Sequence, residues 1–287
     1  MKLGDLYRDA VRSFGSVSDS PESDARTIIC NYFNWDGTAF VLNLGKTVSD
    51  TDCSTLHALF SRRAAGEPVA YITGWRGFYE CVFKVTNDTL IPRADTEILV
   101  ESAISDLESC FTGHEKLRIL DLCCGTGCIG ISVAKVLARS FGKIELVLSD
   151  ISEKALAVCK ENAEHLIDES NISFTFVQGN LFENITGTFD AILTNPPYIR
   201  SSVIPTLESQ VRREPAIALD GGEDGLDFER AIAAEAGGFL DDGGFLFMEI
   251  GYDQGQDACG IFGTAGLRDV ALVRDLGGND RVVRGRK

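Results

Sequence analysis

The chain is predicted to be an α/β protein: a parallel sheet covered by helices on both faces, preceded by a small helical domain. Three observations lead there. Beyond residue 118, short apolar strands alternate with helical stretches in a βαβ pattern. The first ~65 residues instead carry apolar side chains at three- and four-residue steps, the period of a helix face. Between the two, from Tyr71 to Val85, Gly74, Gly77 and a run of aromatic and β-branched residues break that period and read as a hairpin. With 287 residues and 44% hydrophobic side chains, the chain has room for two packed domains, which excludes wholesale disorder.

Each element follows from local chemistry. Leu3, Leu6, Tyr7, Ala10, Val11 and Phe14 share one helical face. Ser20-Pro21 supplies an N-cap and a proline at the first helical position, and Ala25, Ile28, Ile29, Tyr32 and Phe33 form the next apolar stripe. A third helix is expected over 51–65, stopped by Gly66 and Pro68. Three such helices enclose little core and suit docking, so the expected division is a helical domain at 1–70, a hairpin linker at 71–89 and a sheet domain at 90–287. In the last of these, a helix is expected over 95–110, strands at 118–122, 145–150, 173–178, 191–194, 244–250 and 269–274, and helices after Gly127 and Ser152.

Charge and cysteine content restrict the function classes. There are 27 basic against 43 acidic residues, a net −16, whereas a protein that grips a nucleic-acid backbone needs a basic surface. Arg62-Arg63 is an isolated pair, and the basic end from Arg281 to Lys287 reads as a charged strand terminus. No apolar run approaches the ~18–20 residues of a membrane span, and the N-terminus has no hydrophobic leader, so a cytoplasmic protein is expected. The nine cysteines include no Cys-x-x-Cys pair and read as reduced thiols. Cys123, Cys124 and Cys128 have no histidine placed to complete a metal site, and no metal is expected.

The first strand of the sheet ends in Asp121-Leu-Cys123-Cys124-Gly125-Thr126-Gly127. Glycines at the mouth of a helix let the backbone turn and a ligand approach. The next strand ends in Asp150, 23 residues beyond Gly127, where an acid accepts hydrogen bonds from the hydroxyls of a bound ribose. Two carboxylates and few cations disfavour a pyrophosphate. They suit a nucleoside bearing a cationic centre, and S-adenosylmethionine fits that description. At the third strand tip, the Asn180 carbonyl suits an adenine amino group, with Leu181 or Phe182 against the ring. Each residue has a plainer reading: turn glycines, a helix-capping Asp121, a solvated Asn180.

The segment Asn195-Pro196-Pro197-Tyr198 follows a buried apolar strand at once. Two prolines fix φ and remove two N–H donors, leaving rigid carbonyl acceptors. Asn195 adds a side-chain acceptor and Tyr198 a flat face. That set suits a planar –NH2 group. An amide nitrogen is a poor nucleophile because its lone pair is delocalised. Holding both N–H bonds out of the conjugated plane, in line with an electrophilic methyl, favours its alkylation. The plainer alternative is a tight Pro-Pro turn.

Together these motifs resemble the Rossmann-fold, S-adenosylmethionine-dependent amino-methyltransferases. Residues 62–74, 90–97, 214–215, 218–227 and 278–286 narrow the resemblance to the HemK/PrmC family, over essentially the whole chain. The resemblance implies a seven-stranded methyltransferase domain behind a five-helix domain that docks class I peptide-chain release factors. It also implies methylation of the glutamine amide in their Gly-Gly-Gln motif. Asn195 and the Pro196 carbonyl would hold that amide beside Pro197 and Tyr198, with Arg93 near the opening. Asp121, the loop from Cys123 to Gly127, Asp150, Asn180, Leu181 and Asn195 would hold the cofactor. Cys123 stands where the family has its first loop glycine, and Asn180 where it has an acid. An amino-methyltransferase of RNA or DNA bases shares the chemical core, but the charge argues against it. A non-catalytic adapter is opposed by the intact Asn195-Pro-Pro-Tyr198, and a dehydrogenase by the lack of a full Gly-x-Gly-x-x-Gly.

Overall fold

A computed structural model describes residues 1–287 and divides them into two compact units. One comprises Met1–Trp75 with Leu207–Arg213, the other Arg76–Thr206 with Glu214–Lys287. The first is helical: α1 (Leu3–Phe14), α2 (Pro21–Phe33), α3 (Gly37–Asn43), α4 (Asp50–Ala64) and α5 (Val69–Thr73). The periodic residues Leu3, Leu6, Ala10, Phe14, Ala25, Ile28 and Ile29 form its core, as their spacing requires.

Two of these helices, α3 and α5, escape the apolar-period test because they are too short to show it. α3 is set instead by its cap, Asp36, whose carboxylate accepts the Ala39 N–H at 2.6 Å. Ser20 does sit at the N-cap of α2 with Pro21 following, but its side chain makes no capping bond. Ser18 takes part there instead, accepting the Ser20 N–H and donating to Asp24.

Arg63 is not a surface charge. It is 1% exposed, and its guanidinium donates to Asp24 Oδ2 at 2.7 Å and to the carbonyl of Val17 at 3.0 Å. Segment 207–213 belongs to the same unit: Gln210 donates to the Val17 carbonyl and Arg213 to that of Ala65.

The second unit begins with a hairpin, β1 (Trp75–Phe78) and β2 (Cys81–Lys84), and continues through α6 (Glu97–Cys110) into a seven-stranded sheet. Its strands are β3 (Lys116–Leu122), β4 (Lys143–Asp150), β5 (Ile172–Gln178), β6 (Phe189–Thr194), β7 (Leu240–Glu249), β8 (Arg268–Arg274) and β9 (Asp280–Arg286). The order is β5-β4-β3-β6-β7-β9-β8, parallel from β5 to β7, with β9 antiparallel to both its neighbours. The basic C-terminal end is therefore the inserted strand β9, whose Val282 and Val283 are fully buried between charged neighbours.

α6, α7 (Cys128–Leu137) and α8 (Glu153–Leu166) cover one face of the sheet. The other is covered by α9 (Asp227–Phe239) and α10 (Gly255–Thr264). Those last two helices have weak local signals. Gly237-Gly238 and Gly255, Gly260 and Gly263 lower their intrinsic propensity, so packing on the sheet forms them.

The strand pairing places the site. Leu122 is in register with Ser149 on one side and Thr194 on the other, and Thr194 with Met248. Cys123, Asp150, Asn195 and Glu249 each follow this row by one residue, so all four stand level at the C-terminal edge. The chain order reverses between β3 and β6, which opens the crevice where ligands bind in sheets of this kind.

Replacing Arg63 by Ala removes the charged partner of Asp24 and leaves the Val17 carbonyl with Gln210 alone. The helical unit should lose about 3–5 kcal/mol. Trp35, stacked on Phe33, lies inside that unit, whereas Trp75 is the boundary residue that starts β1, so tryptophan fluorescence during urea unfolding in a Trp75→Phe background reads the unit directly. An unchanged midpoint would contradict the assignment.

Candidate active site

The crevice holds a cavity formed by the loop after β3, the tips of β4, β5 and β6, and two segments that close it, 88–93 and 215–218. Of the residues expected from the sequence, Cys123, Cys124, Gly125, Thr126, Asp150, Asn180, Leu181, Asn195, Pro197 and Arg93 line it.

The loop after β3 is pinned by backbone hydrogen bonds. Asp150 accepts the Gly125 N–H at 2.9 Å through one oxygen and the Ser152 N–H at 2.9 Å through the other. Burial raises its carboxyl above the ordinary value, and these N–H groups oppose the rise. Gly125 has φ +54°, and a β-carbon there would meet no protein atom within 4 Å. It would project into open space, so glycine here leaves room for a ligand. Cys123 adopts φ +60° without being glycine. The loop therefore takes a left-handed turn here on a residue with a side chain, at a cost of about 1–2 kcal/mol. Its thiol is pushed up to about 12 by burial and stays protonated.

Five expected residues do not line the cavity. Asp121 is fully buried, and its Oδ2 accepts the Gly130 N–H at 2.8 Å inside the first turns of α7. It anchors the helix that follows the loop, which is the plainer of its two readings. Gly127 starts that helix with φ +78°. Pro196 is buried, and Tyr198 is turned so that its hydroxyl donates to Glu249 Oε1 at 3.1 Å. Phe182 stacks on Phe239 with ring centroids 4.5 Å apart and belongs to the core, leaving Leu181 alone at the cavity.

Several residues that shape the site carry no local signal. Glu214, 6% exposed, accepts the Ile91 N–H at 3.0 Å and pairs with Arg93, whose other nitrogen donates to the Ile91 carbonyl at 3.1 Å. This clip ties the two closing segments together and occupies the charge of Arg93. Gln254 is 2% exposed. Its amide nitrogen donates to the carbonyls of Tyr198 at 3.0 Å and Gly225 at 2.9 Å, while its oxygen accepts the Gly251 N–H. Gly221 packs so closely that a β-carbon would lie 2.7 Å from Tyr198 Cα and 2.8 Å from the Pro197 oxygen. The glycine-rich segment after Ala218 is thus a brace laid against Asn195-Pro-Pro-Tyr198.

The donor set fits an adenosine carrying a sulfonium. Asp150 stands at the second strand tip, Leu181 offers an apolar surface, and the lining's single cation, Arg93, is already paired. This sheet order, with such a cavity at the β3/β6 crevice, defines an S-adenosylmethionine-dependent methyltransferase. Comparison with known proteins agrees. The PrmC N-terminal domain profile matches residues 5–74 and that of the methyltransferase small domain residues 98–211.

The release factor glutamine methyltransferase of Agrobacterium fabrum is 40% identical over 264 residues, covering 92% of this chain and 89% of that protein. The protein of the same name from Salmonella typhimurium is 38% identical, with 94% and 93% covered. Among solved structures, the hMettl16 catalytic domain in complex with the MAT2A 3'UTR hairpin 6 superposes with a TM-score of 0.55 at 14% identity, covering 83% of this chain and 82% of that one. That likeness shows the fold alone. The chain belongs to the HemK/PrmC family, the release factor glutamine methyltransferases.

Burial raises Asp121 to about 7, aided by the charge of Asp150 and opposed by the Gly130 N–H. The carboxyl binds its proton more tightly folded than unfolded. The fold therefore loses stability as pH rises from the ordinary carboxylate range towards 7. Asp121→Asn keeps an acceptor for Gly130 and removes that penalty. Its stability relative to the parent should rise by about 1–3 kcal/mol between pH 5 and pH 8, read by urea denaturation. A difference that stays flat with pH would refute the buried-carboxylate account.

Proposed function

We propose that the chain transfers a methyl group from S-adenosylmethionine to the side-chain amide nitrogen of the glutamine in the Gly-Gly-Gln motif of peptide-chain release factors. The observation that carries this reading is Asn195. It stands at the tip of β6, level with the cofactor-side residues Cys123 and Asp150. It lines their cavity while its Nδ2 is taken by Thr96 Oγ1 at 3.4 Å. The Oδ1 atom is then the end left for a substrate donor. With the backbone carbonyl of Pro196 it offers two acceptors for the two N–H bonds of a primary amide.

S-adenosylmethionine supplies a methyl on a cationic sulfonium, which leaves as a neutral thioether. The chain's own task is to hold the nitrogen. Two fixed acceptors turn the amide's N–H bonds so that its lone pair faces the methyl, and position it at an entropic advantage over a free encounter. The nitrogen that has gained a carbon sheds a proton, so no strong base is needed before transfer. Segment 1–70 and the hairpin at 71–89 are assigned to docking of the release factor and to linkage. The acidic balance of the chain supports a protein acceptor over a nucleic acid.

Asn195→Ala should cut turnover by ~10²-fold or more, on the scale for removing a positioned polar group at a reacting centre, with cofactor affinity much less affected. Asp150→Ala should do the reverse, weakening cofactor binding first. Calorimetric titration beside a labelled-methyl assay separates the two effects. In the same assay, the release factor should take label and its Gly-Gly-Ala variant none. Label on bulk RNA or DNA alone would keep the chemistry and overturn the substrate.

A further inference from the structure

Behind Asn195 lies a buried carboxylate that the reaction described so far does not use. Glu249 ends β7, one residue beyond the row that pairs Thr194 with Met248, and is therefore the neighbour of Asn195 across the sheet. It is 1% exposed. Its Oε1 accepts from the Tyr198 hydroxyl at 3.1 Å, and its Oε2 is buried without a hydrogen-bond partner. Thr96, 2% exposed, is the group to which Asn195 donates, and its hydroxyl is also one of those that stabilise the ionised Glu249. One acid thus stands behind both ends of the Asn195-Pro-Pro-Tyr198 segment.

We infer that Glu249 is a positioning residue that fixes, through Thr96, which end of the Asn195 side-chain amide faces the substrate. The inference rests on the proposed amide methylation and adds the group that orients its main acceptor. An ionised carboxylate can only accept hydrogen bonds, so the hydroxyls facing it turn their hydrogens inward. A threonine whose hydrogen points at Glu249 has only lone pairs left for Asn195. The asparagine must then give it Nδ2 and present Oδ1 to the cavity. The reversed amide would set an N–H against the N–H of the substrate, and the nitrogen could not be gripped.

The charge on Glu249 is held by surrounding elements. Burial raises its carboxyl, as does Asp95 ahead of α6, while Thr96, Arg281 on β9 and Tyr198 lower it, and the balance is a rise. Arg281 is itself paired with Asp275 at 3.1 Å and Asp95 at 3.4 Å, so it compensates the acid without being released by it. Once protonated, Glu249 becomes a donor and the constraint on Thr96 is lost. Turnover should therefore fall on the acid side, at a pH above the ordinary carboxylate range.

Two isosteric variants test this. Glu249→Gln and Thr96→Val should each lower kcat on release factor by about 10-fold or more. Cofactor Kd, measured by calorimetry, should stay within about threefold, and the acid limb of the parent's pH profile should disappear. Thr96→Ser, which restores the hydroxyl, should recover most of the rate lost in Thr96→Val. If Glu249→Gln fails to fold, Thr96→Val and Thr96→Ser carry the test.

A second readout does not depend on turnover. In protein labelled with 15N at asparagine, the Asn195 side-chain N–H protons should show a nuclear Overhauser contact to the Thr96 methyl, and lose it in Glu249→Gln. Variants that keep kcat, the acid limb and the contact would overturn the inference while leaving amide methylation standing. A parent that labels only nucleic acid overturns the substrate, and the Overhauser contact then decides the role of Glu249 by itself.

Discussion

The site depends on parallel strands that end together. Because β3, β4, β6 and β7 run in one direction and are locked in register, residues from four distant parts of the chain arrive on one line: Cys123, Asp150, Asn195 and Glu249. Side chains alternate between the two faces of a strand, so a slip of one residue would send Asn195 to the wrong face and break the row. That register is enforced by the core. Leu117 and Ile119 pack beneath α6 and α7, and Leu120 and Leu122 beneath the helices of the opposite face. Packing on both faces leaves the strands one arrangement.

Within that frame, buried acids hold backbone and side chains in place. Asp121 takes the Gly130 N–H, Glu214 the Ile91 N–H, and Glu249 the Tyr198 hydroxyl. An acid removed from water is costly unless its acceptors are used, which restricts the surrounding conformations. Rigidity matters for this chemistry because the acceptor nitrogen is a weak nucleophile and the gain comes from orientation. Gln254, with both ends of its amide occupied, fixes the Tyr198 carbonyl in the same way.

The helical unit shows the same use of buried charge for a different end. Arg63 joins α4 to Asp24 and to the turn at Val17, the place where segment 207–213 also attaches through Gln210. A unit of this size has a small apolar core, centred on Phe14, Ile28, Leu56 and Phe60, and a fully paired arginine gives it a defined packing. The sequence shows Arg62-Arg63 only as an isolated basic pair, because charge patterning describes a residue's type and not its surroundings.

The sequence by itself determined the α/β class, the first two helices and α4, the hairpin, and the strands at 118–122, 145–150, 173–178 and 191–194. It also determined the two motifs that carry the chemistry. These are legible because period, turn glycines and a strand-tip Asn-Pro-Pro-Tyr act over a few neighbouring residues. Only the tertiary structure decided that Asp121 anchors a helix, that Phe182 belongs to the core, and that Thr96, Glu214, Glu249 and Gln254 support the site. Their partners are remote in sequence: Thr96 stands 99 residues from Asn195, and Ile91 stands 123 from Glu214. A buried acid and a surface acid are the same letter. What separates them is the packing of distant elements, which removes water from one and leaves it around the other.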